Sequence, residues 1–118
     1  MTVIQLFKNS NDAQPFTAGE CIFREGENGN TMYVLTEGEV ELATHGQVVD
    51  VVGEGGIFGE MALIDHGSRS ATAIARADCK VMAIDEKRFA YMVQQTPNFA
   101  LQVMRIMAER LRRMDARL

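Results

Sequence analysis

From Phe16 to Ile84 the chain is a succession of short apolar runs punctuated by glycine. That pattern suggests a sandwich or barrel of short strands rather than alternating helices and strands. Met32 and Val34, then Val40 and Leu42, fall at every second position, with Glu39 and Glu41 on the opposite face. These read as half-buried antiparallel strands. His45-Gly46 lies between two such runs as a two-residue hairpin turn in which Gly46 supplies the positive φ. Gly53, Gly55 and Gly56 lead the chain onward, and Ala71 to Arg76 and Lys80 to Ile84 read as closing strands, with Ala77-Asp78 as their turn. The expected fold is mainly β, a double-stranded β-helix or jelly roll over residues 3–84, followed by two helices. Ahead of it, Thr2 to Lys8 reads as an edge strand or a short helix, the strand preferred, and Asn9 to Gln14 as a polar connector ended by Pro15.

The two helices are expected over residues 85–95 and 97–117. Asp85 is an N-cap with Glu86 in the first turn, and Phe89, Met92 and Val93 share one face. Thr96-Pro97 restarts the chain, with threonine capping and proline at the first helical position, where its missing donor costs nothing. Ala100, Met104, Met107, Leu111, Met114 and Leu118 then recur at alternating steps of four and three, a heptad seam that would support a homodimer. A second stripe, Val103 and Ile106, would face the protein's own barrel, and docking there alone is the other reading of the helix. Arg105, Arg110, Arg112, Arg113 and Arg117 read as solvated side chains complementing the helix dipole.

Between the strands, Phe58 to Ala73 reads as an anion pocket. Gly59 permits a tight turn or a close backbone approach, and Glu60 to Leu63 can form a helical turn whose first amides point outward without partners. Those amides offer a seat for phosphate. A glutamate beside an anion makes sense if Glu60 accepts from something neutral next to the charge, such as a sugar hydroxyl. Arg69 adds a permanent charge and a planar fork of donors suited to phosphate oxygens, while Ser70 and Ala71 leave room. The constellation asks for a phosphate attached to a ribose.

Phe58-Gly59-Glu60-Met61-Ala62-Leu63, followed by Arg69-Ser70-Ala71-Thr72-Ala73, resembles the phosphate-binding cassette of the cyclic nucleotide-binding domain family. That family spans regulatory subunits of cyclic AMP-dependent kinase, cyclic nucleotide-gated channels and bacterial catabolite-activator-type regulators. Residues 18–27 and 32–40 resemble its opening strands and glycine turns, so the likeness runs from Phe16 to the C-terminus. It implies that Glu60 holds the ribose 2′-hydroxyl and Arg69 the cyclic phosphate. Backbone amides near Gly59, Met61, Ala62 and Ser70 would complete a seat to which Phe58 and Ala71 also belong. Where the family usually has proline before the arginine, this chain has Ser68. The resemblance makes the C-terminal helix a lid, with Leu111, Met114 and Asp115 at the covering positions; Met114 and Asp115 stand where activators carry hydroxyl residues that reach the base. Threonine after the arginine tends to accompany cyclic GMP and alanine cyclic AMP in the family. Ser70 leaves the ligand as cAMP or cGMP, with cAMP favoured.

The 118 residues suit one domain, and no apolar run approaches the length needed to cross a bilayer. The N-terminus lacks the basic and apolar regions of a secretory signal, so the expected location is cytoplasmic. Cys21 and Cys79 are then expected as reduced thiols, and are too few for an iron–sulfur cluster. A net charge of −4 argues against direct nucleic-acid binding. His45 and His66 lie in separate turns and do not make a metal site, and no nucleophile or acid–base pair accompanies the pocket. The expected role is a cyclic nucleotide sensor, not an enzyme, that couples occupancy to movement of its C-terminal helix without a cofactor, metal or membrane partner. Two other readings stand beside it: a nucleotide-independent structural or interaction domain, and the effector domain of a transcription regulator lacking its helix-turn-helix part.

Overall fold

The computed structural model describes residues 12–117, with side chains to residue 113. The strand or helix expected over Thr2 to Lys8 lies outside the described residues. Eight strands follow: β1 (Gln14–Phe16), β2 (Cys21–Phe23), β3 (Thr31–Glu37), β4 (Val40–Thr44), β5 (Gln47–Val52), β6 (Ile57–Phe58), β7 (Thr72–Ala75) and β8 (Cys79–Asp85). A six-residue helix α1 (Glu60–Asp65) interrupts them, and α2 (Glu86–Gln95) and α3 (Asn98–Arg117) close the chain.

The strands form two four-stranded antiparallel sheets, ordered β1-β8-β3-β6 and β2-β7-β4-β5. Most connections cross from one sheet to the other, as a jelly roll requires. The exception is the β4–β5 hairpin, whose turn residues His45 and Gly46 have φ of 53° and 80°. Both signs match the primed turn that suits strand twist, so histidine shares the left-handed role expected of glycine alone. Ala77-Asp78 is not a hairpin turn: β7 pairs with β2 and β4, whereas β8 pairs with β1 and β3. The chain passes between sheets at that point.

Two apolar clusters follow from this topology. Phe23, Leu35, Val40, Leu42, Val52, Phe58, Ala73, Ala75, Cys79 and Val81 fill the space between the sheets. Met32, Val34, Ile57, Met82 and Ile84 leave the opposite face of the first sheet and meet Leu63, Phe99 and Val103. The half-buried expectation therefore holds for β4 but not for β3, which buries Met32 and Val34 under helices and Leu35 under the other sheet. Helices cover the first sheet's outer face, and β3 has become a two-sided core strand.

The first of the two closing helices, α2, starts as its capping residue requires. The Asp85 side chain accepts from the Arg88 amide at 2.7 Å, and Phe89, Met92 and Val93 pack on the outer cluster. In α3, Phe99 and Val103 are buried, and Ile106 and Met107 pack against the same cluster. This corrects the heptad reading at one position: Met107 belongs to the barrel-facing stripe. Leu101, Met104 and Leu111 remain exposed on α3, while the side chains of Met114 and Leu118 lie outside the described ones. Both cysteines are free thiols, and burial raises the Cys79 pKa. Among the described residues no helix is long and apolar enough to cross a membrane.

Phe99 is fully buried and packs at a tilt against Phe89 with a centroid distance of 5.4 Å, so it is the principal anchor of α3 on the sheet. Phe99→Ala is expected to cost about 3–5 kcal/mol of stability, measured by urea unfolding. A loss below about 1 kcal/mol would mean that the helix is held by other contacts.

Candidate ligand-binding site

The site is built where β6 ends. Gly59 adopts φ 76°, turning the chain into α1, and a Cβ there would lie 2.8 Å from Arg69 Nη1 and 3.2 Å from the Phe23 ring. On the other side, a Cβ on Gly29 would lie 2.4 Å from Arg69 Nε. Two glycines thus make a slot that only a planar guanidinium fits. Arg69 fills it and is 6% exposed. Its Nη1 donates to Thr31 O at 2.7 Å and Gly59 O at 3.0 Å, and its Nη2 to Thr31 Oγ1 at 3.1 Å. The Phe23 ring lies 4.2 Å from the guanidinium carbon, close enough for a cation–π contact. The main chain is pinned as well. Arg69 N–H donates to Glu27 O at 2.8 Å, the Gly26 amide donates to Arg69 O at 2.9 Å, and Ser68 bridges to Asn28. Ser68, standing where the family usually has proline, is thus part of a hydrogen-bonded loop. Burial lowers the Arg69 pKa, while Tyr33 and Glu27 act in the opposite direction.

Glu60, also 6% exposed, opens α1. Its Oε1 accepts from Arg110 Nη1 at 2.8 Å. Arg110 also donates from Nε to Asp50 Oδ2 at 3.2 Å and from Nη2 to the Ile57 carbonyl. Asp50 in turn accepts from Arg113 Nη1 at 3.1 Å and Nη2 at 3.4 Å. This overturns the solvated reading of the α3 arginines at two positions. Arg110 is a half-buried bridge between two carboxylates, and Arg113 is exposed but paired. A charge in such surroundings must be satisfied by partners, because leaving it alone out of water is costly.

The two centres open onto one cavity of about 620 Å³, within the range of small-molecule sites. Of the expected ligand positions, Gly59, Glu60, Met61, Ala62, Arg69, Ser70 and Ala71 all line it. Phe58 does not. Its ring is fully buried against Tyr33 and Phe23 at centroid distances of 5.3 and 5.9 Å, because β6 directs it between the sheets. Of the lid positions, Leu111 lines the cavity, and the side chains of Met114 and Asp115 lie outside the described ones. Apolar walls come from Phe23, Leu42, Val49 and Met107. Gly29, Thr31, Asp50 and Arg110 were not foreseen as parts of the site. Arg110 carried a signal, since it continues the stripe of Phe99, Val103 and Ile106. Asp50 carried another, as the one charge within the valines of β5. Among the described residues no group of histidine, cysteine or carboxylate side chains could hold a metal ion.

The arrangement has counterparts in known proteins. A cyclic AMP receptor protein of Thermus thermophilus is 34% identical over 108 residues, covering 87% of this chain and 50% of its own length. The catabolite activator protein structure from Thermus thermophilus superposes with a TM-score of 0.77 at 32% identity, covering 89% of this chain and 53% of that one. The cAMP-bound PfPKA-R structure gives a TM-score of 0.75 at 27% identity, covering 88% of this chain and 36% of that one. The chain spans about half the length of the Thermus relatives. Residues 13–96, which carry the glycine slot, Glu60 and Arg69, match the cyclic nucleotide-binding domain family, and the chain belongs to that family.

Proposed function

We propose that this chain is a sensor domain for a purine cyclic nucleotide, cyclic AMP ahead of cyclic GMP, that converts occupancy into a change in the seating of α3. It acts by binding, not by catalysis. The observation that carries the reading is that Arg69 and Glu60, both almost fully buried, line the same cavity. The three hydrogen bonds of Arg69 use Nη1 twice and Nη2 once. That leaves an Nε–Nη2 edge for two phosphate oxygens, the bidentate contact for which guanidinium is suited. Glu60 uses Oε1 toward Arg110, which leaves Oε2 to accept from the ribose 2′-hydroxyl. Met61, Ala62, Ser70 and Ala71 supply the small surroundings that a sugar phosphate needs. The preference for cyclic AMP draws on the Thermus relative, named a cyclic AMP receptor protein.

Coupling to α3 runs through Arg110. Because this α3 residue shares the Glu60 carboxylate, a ligand hydroxyl that redistributes the hydrogen bonds of Glu60 changes how well α3 is held. The shift is limited to the difference in ligand affinity between the two helix positions. The exposed row Leu101, Met104 and Leu111 would let α3 pair with its twin in a homodimer. A second reading, a nucleotide-independent structural domain, is favoured by one observation: Arg69 and Glu60 already have protein partners.

Calorimetric titration with cyclic AMP and cyclic GMP separates the two readings. At a ligand concentration one hundred times Kd, the fold should gain about 2.7 kcal/mol, seen as a raised melting temperature. An unmoved melting curve with both nucleotides would favour the structural reading. Arg69→Ala is expected to weaken binding by about 1.5–3 kcal/mol, and near-normal affinity would put the phosphate elsewhere. Gly29→Ala forces a methyl group into the guanidinium slot and should weaken nucleotide binding while Arg69 is still present. Unchanged affinity in that variant would show that the slot tolerates displacement of the guanidinium. For the dimer, Leu111→Glu should give a monomer by sedimentation; an unaltered mass would assign α3 to intramolecular packing alone.

A further inference from the structure

Beyond Glu60 the cavity has a second charged centre. Asp50 of β5 is held by Arg110 and Arg113, and its Oδ1 also accepts from the Val51 amide at 2.9 Å, which fixes the direction of the carboxylate. The contacts follow a continuous order. Arg69 lies against Gly59, Glu60 comes next, Arg110 joins Glu60 to Asp50, and Asp50 holds Arg113. A cyclic nucleotide carries phosphate, ribose and base in that same order. With the phosphate on Arg69 and the sugar on Glu60, the purine extends toward Asp50 and Arg113, and Leu42, Val49 and Leu111 offer apolar surface to its faces.

The geometry points to the Asp50–Arg113 ion pair as the element that selects the base, favouring adenine over guanine; this rests on the nucleotide reading above. Guanine presents two acceptors, N7 and O6, on its outer edge, whereas adenine presents the N7 acceptor and the N6 amino donor. A free arginine fork is the natural partner of the guanine pair. Here both terminal nitrogens of Arg113 are turned to Asp50, so its end-on fork is occupied. The carboxylate already accepts from the Val51 amide, Arg110 Nε and both terminal nitrogens of Arg113, so it acts on the base by keeping the Arg113 fork engaged. That engagement acts against guanine. Arg113 is 54% exposed, so its fork is free to turn to the base once Asp50 is removed.

The test compares dissociation constants for cyclic AMP and cyclic GMP in the wild type, Asp50→Ala, Asp50→Asn and Asp50→Ala/Arg113→Ala. The wild type should prefer cyclic AMP. Asp50→Ala should shift the ratio toward cyclic GMP by about fivefold or more, as expected for gaining a bidentate base contact. Asp50→Asn, nearly the same shape, should shift it in the same direction and serves if the alanine variant is unstable. The gain for cyclic GMP should vanish in the double variant, since it depends on Arg113. If Asp50 acts only by holding α3, both nucleotides lose affinity together and the ratio stays constant, which overturns the inference. A wild type that binds neither nucleotide overturns the nucleotide reading itself, and a wild type that binds both with an unaltered ratio in the variants overturns only the base-selecting role.

Discussion

The constraint on which the rest of this structure depends is the seating of one guanidinium between two glycines. A charged group that is almost fully removed from water must have its donors met and its faces covered. Arg69 achieves both with two backbone carbonyls, one hydroxyl and an aromatic ring. The partners come from β3, from the end of β6 and from β2, elements that only the closed jelly roll brings together. Folding the two sheets therefore creates the guanidinium slot, and a Cβ on either flanking glycine would fill it.

The second dependency is the double use of α3. Its apolar stripe, from Phe99 through Val103, Ile106 and Met107, covers the outer face of the first sheet. One turn further along the same face, Arg110 replaces hydrocarbon with charge, and there the helix leaves the core and passes over the cavity mouth. Apolar burial holds one end of the helix and ion pairs hold the other. The two differ in kind: hydrocarbon packing has no directional partner, whereas the Glu60 carboxylate that holds Arg110 also lines the cavity.

Much of the fold was legible in the chain. Alternation in β4, the hairpin at His45-Gly46 and the Asp85 cap are local features with local causes, and the structure keeps them. Less legible was β3, whose Met32, Val34 and Leu35 are all buried. Period-two patterning reports one wet and one dry face, and it cannot show that helices will cover the face of Met32 and Val34 while the opposite face, with Leu35, packs on the second sheet. In the candidate site, Gly59, Glu60 and Arg69 were readable because their chemistry is concentrated in one short segment. Gly29 and Thr31 were not, since a glycine that must be empty space and a carbonyl that must point at an arginine look ordinary in sequence.

What the sequence determined by itself was the inventory: short strands, two capped helices, and a carboxylate and a guanidinium close enough in the chain to share a loop. The tertiary structure alone decided the partners. Asp50 and Arg110 are sixty residues apart, and their 3.2 Å contact exists because the jelly roll turns β5 toward the face that α3 crosses. Charge pairing of that kind depends on where whole elements come to rest, and local pattern carries no information about such distances.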